Sequence, residues 1–255
     1  MKCSLETGTT CALSEVPISQ AENRPWVNIN QTNAIDRCRA IGSGFDLISD
    51  QQWMVLAENI LNTPINDLDA SDTGGPNLAR GHSDNISGAS LQAISISGNT
   101  NFDVSVSLDH PDNANCVLRT QGYEGTGYNW DQAYGSGREQ LRTHMLSNGE
   151  IIWDVAGNVW SWVLGDYFAS VNNTDLEYSD VPDFSGIEWV RPSQLLPISN
   201  GVGKISTVFE STSVVRGGYW INGDNVGVFY VIADDSDPSE IYMGVGFRCV
   251  YFPGG

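Results

Sequence analysis

Lysine is almost absent from this chain. Only Lys2 and Lys204 occur in 255 residues, and 12 basic side chains stand against 31 acidic ones for a net charge of −19. Phosphate backbones are held by clustered Lys and Arg, so nucleic-acid binding is strongly disfavoured. Anionic membrane surfaces and other acidic partners are poor targets for the same reason. No apolar run approaches the roughly 18–20 residues that span a bilayer, so membrane insertion is not expected. The opening MKCSLETGTTCALSEVP lacks the basic-then-apolar order of a signal peptide. Either export takes another route, such as assembly into a virion, or the segment was trimmed.

Catalytic signatures are also missing. The five cysteines form neither a CxxC pair nor a zinc spacing, and their odd number leaves at least one thiol unpaired within the chain. Cys3, Cys11, Cys38, Cys116 and Cys249 can each be read as a small buried thiol or as half of a disulfide. His82, His110 and His144 are scattered and show no ligand spacing. A G-x-S-x-G elbow and a phosphate loop do not occur. Asp234 and Asp235 are adjacent, and neighbours on a strand point to opposite faces, so they do not make a glycosidase pair. An enzyme is not expected, and no cofactor is required.

What remains is a folded protein: 40% hydrophobic residues, 10% aromatic residues and eight tryptophans supply ample core. The acid excess suits a surface kept soluble by its own charge, a saline setting, or calcium sites. Residues 1–25 are polar and read as an N-terminal arm or lead-in strand, and residues 26–255 as one domain without internal repeats. Two amphipathic helices are expected near its start. In the first, Thr32 caps Ala34, Ile35, Cys38 and Ile41, and Gly42 closes it. The second opens on the capping box Ser49-Asp50-Gln51-Gln52 and carries Trp53, Leu56, Ala57, Ile60 and Leu61 on one face. From 62 to 149, Asn, Asp, Gly and Ser dominate around aromatic anchors, with alternation at Asp103–Leu108 that reads as a strand. IIWDVAGNVWSWV is β-rich, with a bend at Ala156-Gly157-Asn158. Three terminal strands are expected at about Val214–Trp220, Asn225–Ile232 and Val245–Phe252.

The stretch from Arg216 to Cys249 looks like two interleaved sequences. One is a framework: Arg216-Gly217-Gly218, Trp220, Asn222-Gly223, Gly227-Val228-Phe229, Pro238-Ser239 and Gly246-Phe247-Arg248-Cys249. The other is chemically mixed: Tyr219, Ile221, Asp224, Asn225, Tyr230, Ile232, Asp234, Asp235, Glu240 and Tyr242. Mixed aromatics, acids and aliphatics on a rigid frame describe a contact surface. Tyrosine supplies area and a hydroxyl at low entropy cost, and the acids favour a basic or polar target.

Three ordered blocks carry a resemblance. They are Cys38-Arg39-Ala40-Ile41-Gly42 through Trp53 and Ala57, then Asn148-Gly149 through Trp153-Asp154-Val155-Ala156-Gly157-Asn158-Val159-Trp160-Ser161-Trp162, then Val215-Arg216-Gly217-Gly218 through Gly246-Phe247-Arg248. Together they resemble the formylglycine-generating-enzyme branch of the C-type lectin-like fold. That resemblance implies an α+β domain with two helices, a small twisted antiparallel sheet and long structured loops. Arg216 and Arg248, if set in apolar surroundings, need carboxylate or carbonyl partners. In the related fold the first helix and last strand lie side by side, often joined by a disulfide, and Cys38 and Cys249 match those places. The alternative is two reduced thiols.

The third block is similar to the variable region of proteins diversified by diversity-generating retroelements, a family that includes the major tropism determinant of a bacteriophage. There, rewritten codons display a ligand-binding surface on an unchanged scaffold. The resemblance implies that Arg216, Gly217, Gly218, Trp220, Gly246, Phe247 and Arg248 are scaffold and the interleaved residues are the binding face. It implies a protein or glycan target on a host or neighbouring cell, display on a virion tail or fibre or on a cell surface, and homo-oligomers that add avidity. Formylglycine-generating enzymes carry a cysteine pair soon after the RGG motif, whereas this chain has Tyr219-Trp220-Ile221-Asn222. A fixed-specificity calcium-dependent lectin is the alternative: Asp112-Asn113, Asp154, Asn158 and Asp166 are oxygen donors suited to structural calcium. The Glu-Pro-Asn and Gln-Pro-Asp triplets of sugar-binding C-type lectins do not occur.

Overall fold

The computed structural model describes residues 1, 11–19, 25–67, 78–81, 83, 128–129, 138–139, 143–165, 176–177, 201, 203–207, 213–222, 225–233 and 237–253. The expected strand at Asp103–Leu108 lies outside them, as do Cys3, Cys116, His82, His110, Asp112, Asn113, Asp166, Asp224, Asp234 and Asp235. Helix α1 spans Gln31–Arg39 and buries Gln31, Ala34 and Cys38. Its cap is Asn30 rather than Thr32: the Asn30 Oδ1 accepts the Asn33 amide at 2.8 Å. The Asn30 amide group also donates to the Ser239 carbonyl, so the cap is chosen by a contact 209 residues away. The helix ends at Ala40, two residues before Gly42, with Arg37 and Arg39 in the last turn where the helix dipole favours cations. Helix α2 (Asp50–Leu61) begins on the expected capping box, with Ser49 and Gln52 satisfying each other's backbone amides. Trp53, Ala57 and Ile60 are fully buried on its inner face.

The strands are short. A six-stranded sheet runs in the order β11 (Val245–Phe247), β6 (Trp160–Val163), β9 (Val214–Arg216), β10 (Val231–Ala233), β8 (Lys204–Thr207) and β7 (Leu176–Glu177). Strands β1 (Phe45–Leu47) and β12 (Cys249–Tyr251) form a separate antiparallel pair. Further pairs join β2 (Tyr128–Asn129) to β3 (Arg138–Glu139) and β4 (Thr143–Met145) to β5 (Ile151–Trp153). The architecture is α+β, with a sheet that is mixed rather than antiparallel: β11 runs parallel to β6, and β10 parallel to β8. Strand β6 reads Trp-Ser-Trp-Val and is buried throughout, as expected of a central strand flanked on both edges.

All three expected terminal strands change form, and Val214–Trp220 ends at Arg216, where Gly217 and Gly218 turn the chain. Val245–Phe252 divides at Arg248, where the chain leaves β6 to pair with β1. Asn225–Ile232 is mostly turn, and only Val231–Ala233 is strand. Between β5 and β6, Asp154, Gly157 and Asn158 adopt φ of +53°, +73° and +65°, the bend anticipated at Ala156-Gly157-Asn158.

Long-range ties join these layers. Cys38 and Cys249 form a disulfide, linking α1 to β12 with Cα atoms 5.3 Å apart and a sequence separation of 211. Cys11 is also disulfide-bonded. The Trp53 indole donates to the Val228 carbonyl at 2.7 Å, and the Trp162 indole to the Ile29 carbonyl at 2.8 Å. At the start of the chain, the Met1 ammonium donates to the Phe247 carbonyl at 2.8 Å while the Trp26 amide donates to the Met1 carbonyl. No helix among the described residues is long and apolar enough to cross a membrane.

Candidate functional site

The candidate site begins where β9 stops. Gly217 and Gly218 turn the chain at φ of +88° and +82°. A Cβ on Gly217 would lie 2.5 Å from the Val155 carbonyl oxygen, so this backbone approach needs glycine. The approach is used on both sides: the Gly217 amide donates to the Tyr230 carbonyl at 2.9 Å, and its carbonyl accepts the Gly157 amide at 3.0 Å. Beyond it, the Asn222 side chain accepts the Tyr219 amide at 2.8 Å, and the Asn222 amide returns to the Tyr219 carbonyl. The Trp220 amide donates to the Asn158 carbonyl at 3.2 Å. The second and third sequence blocks thus meet directly.

Behind this turn, Arg216 is 1% exposed and its Nε lies 2.6 Å from the Asp50 carboxylate. A second nitrogen donates to the Phe229 carbonyl at 3.0 Å. Arg248 donates to the carbonyls of Trp153 and Asp154 and lies over the Trp53 ring. Phe247 is buried edge-on against Trp26, with ring centroids 5.6 Å apart. These residues form a fixed support.

On the support sits an open cleft of about 500 Å³. Tyr219, Trp220 and Tyr242 line it from one set of loops, and Trp160, Val215, Ile232 and Val245 from the sheet. Ile241, Met243 and Gly244 complete the wall. Aromatic contacts hold its shape: Trp160 lies 6.5 Å from Tyr219, Tyr219 6.2 Å from Trp220, and Tyr242 6.1 Å from Trp162. Gly244 has no side chain for a steric reason, since a Cβ there would stand 2.9 Å from the Tyr219 ring.

The interleaved residues do not all share this place. Tyr219, Ile232 and Tyr242 line the cleft. Ile221 is 41% exposed on the adjoining turn, Glu240 is exposed, and Asn225 is half-buried. Tyr230 turns inward: it is 4% exposed, and its ring lies 4.6 Å from Trp160 in the core. Trp220, assigned to the scaffold from sequence, is half-buried and lines the cleft. Sequence reasoning missed Ile241 and Met243, which are 58% and 83% exposed. Their signal was available as apolar residues on either side of Tyr242, in a stretch that does not form a strand.

In the turn that precedes Ile241, the Ser239 hydroxyl and amide both donate to Asp237, at 2.7 and 2.8 Å, and hold its carboxyl below the usual carboxylate range. Asp154 and Asn158 touch each other at 3.2 Å. Among the described residues no group of three or more His, Cys, Asp and Glu side chains could hold a metal ion. His144 is buried away from the cleft beside Ala79, whose carbonyl accepts its Nε2–H at 3.0 Å. Burial, with the nearby Arg248 charge, lowers its pKa to about 4. No protein-family model and no curated protein matches this chain.

Proposed function

We propose that this chain is a non-enzymatic target-binding protein whose contact surface lies between Tyr219 and Met243, on a scaffold of the C-type lectin-like kind. The observation that carries the reading is the cleft. Three interleaved residues, Tyr219, Ile232 and Tyr242, converge on one open concavity of about 500 Å³, a volume within the range of about 300–1,000 Å³ typical of ligand sites. The framework residues Arg216, Gly217 and Phe247 make buried contacts, and Arg248 a part-buried one. Such a division lets contact residues vary without disturbing the core. The two helices and the disulfide between α1 and β12 accord with the lectin-like assignment. Display on a virion or cell surface fits a binder whose single patch gains strength through avidity.

Two tests bear on it. Sequencing the encoding locus should find a near-copy of the codons for 216–249 beside a reverse transcriptase, with mismatches confined to template adenines. Absence of any such copy would leave a binder of fixed specificity. Independently, Tyr219→Ala and Tyr242→Ala should weaken capture of the target from host or neighbouring cells, and unchanged capture by both would defeat the binding assignment.

A further inference from the structure

The chemistry of the cleft narrows what it can hold. The described residues that line it carry no carboxylate, amide, guanidinium or ammonium side chain. Its side-chain polar atoms are the hydroxyls of two tyrosines and the indole nitrogens of two tryptophans. A sugar carries hydroxyls around the whole edge of its ring, and each one desolvated without a partner is costly. An apolar side chain carries no such cost. Ile241 and Met243 stand exposed at the same cleft and offer apolar contact that the fold itself does not use. Thioether and aliphatic side chains of this kind pack against varied apolar shapes.

The surroundings carry the opposite chemistry. Glu240 immediately precedes Ile241 and is exposed, and Asp237 is an exposed carboxylate in the same turn. The whole chain carries a charge of −19 with two lysines. A partner arriving at this mouth is drawn by positive charge and repelled by negative charge.

Resting on the binding role proposed above, we infer that the cleft seats one bulky apolar side chain from a cationic protein segment, with Ile241 and Met243 as added determinants of specificity. The side chain enters between Tyr219 and Tyr242, Met243 closes over it, and a flanking Lys or Arg meets Glu240. A glycan is the competing occupant.

The test uses the full chain, a phage-displayed library of short random peptides and, in parallel, a glycan array. Retained peptides should share a Phe, Leu, Ile, Met or Trp beside Lys or Arg. A synthetic copy of one should bind the Ile241→Ser/Met243→Ser protein about tenfold or more weakly. Replacing its apolar residue by Ala should cause a similar loss, and the two losses should not add. Glu240→Gln should weaken binding at low salt and have less effect at high salt. Retention of glycans alone, retention of no peptide, or peptides that bind the Ile241→Ser/Met243→Ser protein equally would overturn the inference. If those peptides nonetheless lose binding on Tyr219→Ala and Ile221→Ala, the binding surface stands and only its apolar occupant falls. If no substitution from 219 to 243 affects any captured ligand, both fall. Ile241 and Met243 are exposed, so an unchanged melting temperature certifies that the variant is folded.

Discussion

Arg216 and Asp50 form a buried ion pair, Nε to Oδ1 2.6 Å, that joins the end of β9 to the first turn of α2 across 166 residues of sequence. The pair stands directly behind the glycine turn that opens the candidate site. Removing one partner leaves a buried charge uncompensated, a loss of about 3–5 kcal/mol. Asp50→Ala should therefore lower the denaturation midpoint sharply. The double variant Asp50→Ala/Arg216→Met should be less destabilised than the sum of the two single changes, because the stranded charge is gone. Additive losses in a double-mutant cycle would show that the two groups act separately.

The disulfide between Cys38 and Cys249 closes a loop of 211 residues around most of the domain. Disulfides contribute about 2–4 kcal/mol, largely by restricting the unfolded chain. The Cys38→Ala/Cys249→Ala protein should lose stability in that range in urea titrations under oxidising conditions. The same variant should lose the free-energy difference that reduction of this bond causes in the native sequence.

His144 provides a pH signature. Its imidazole is neutral in the fold, with a pKa lowered to about 4 by burial, while an unfolded histidine titrates near 6.5. The unfolded chain therefore binds the proton more readily between these values. This contribution to stability is fully present above about pH 6.5 and is lost as pH falls toward 4, in total on the order of 3 kcal/mol. Asp154 opposes the shift, and Arg248 adds to it. His144→Gln keeps a donor toward the Ala79 carbonyl and should flatten the stability profile between pH 4 and 6.5. A slope identical to that of the native protein would mean that other groups produce the acid sensitivity.

Two glycines should separate stability from binding. Gly217→Ala drives a Cβ into the Val155 backbone and adopts a φ unfavourable for alanine, so it should cost about 1–3 kcal/mol. Gly244→Ala instead meets the edge of the Tyr219 ring. Its principal effect should be on target affinity, as that ring moves within the cleft. Equal thermal shifts in the two variants, with affinity unchanged in Gly244→Ala, would count against the cleft as the site.

Local rules were enough to read helix α2 from sequence. A Ser-x-x-Gln box and an apolar stripe specify a helix without knowledge of what it packs against, and α2 begins at that box. The first helix was legible only in part: its cap moved from Thr32 to Asn30, where the Pro238–Ser239 turn docks. The division at Arg248 was invisible, because it depends on β12 finding β1 instead of extending along β6. Tyr230 has the composition of a contact residue, yet its ring packs on Trp160, a contact that no pattern along the chain records.

The amino-acid sequence alone determined the charge, the framework of glycines and aromatics, and the chemical mixture of residues between them, because these are properties of single positions and short spacings. Tertiary structure alone decided that Tyr219, Ile232 and Tyr242 meet in one cleft, that Ile241 and Met243 join them at its edge, and that Arg216 finds Asp50. Each of these depends on pairing between strands and helices far apart in the chain. Local preferences are worth fractions of a kcal/mol per residue, whereas burial of an apolar side chain is worth about 1.5–3 kcal/mol and a buried charge stranded without its partner costs about 3–5, so packing selects which side chains face the solvent.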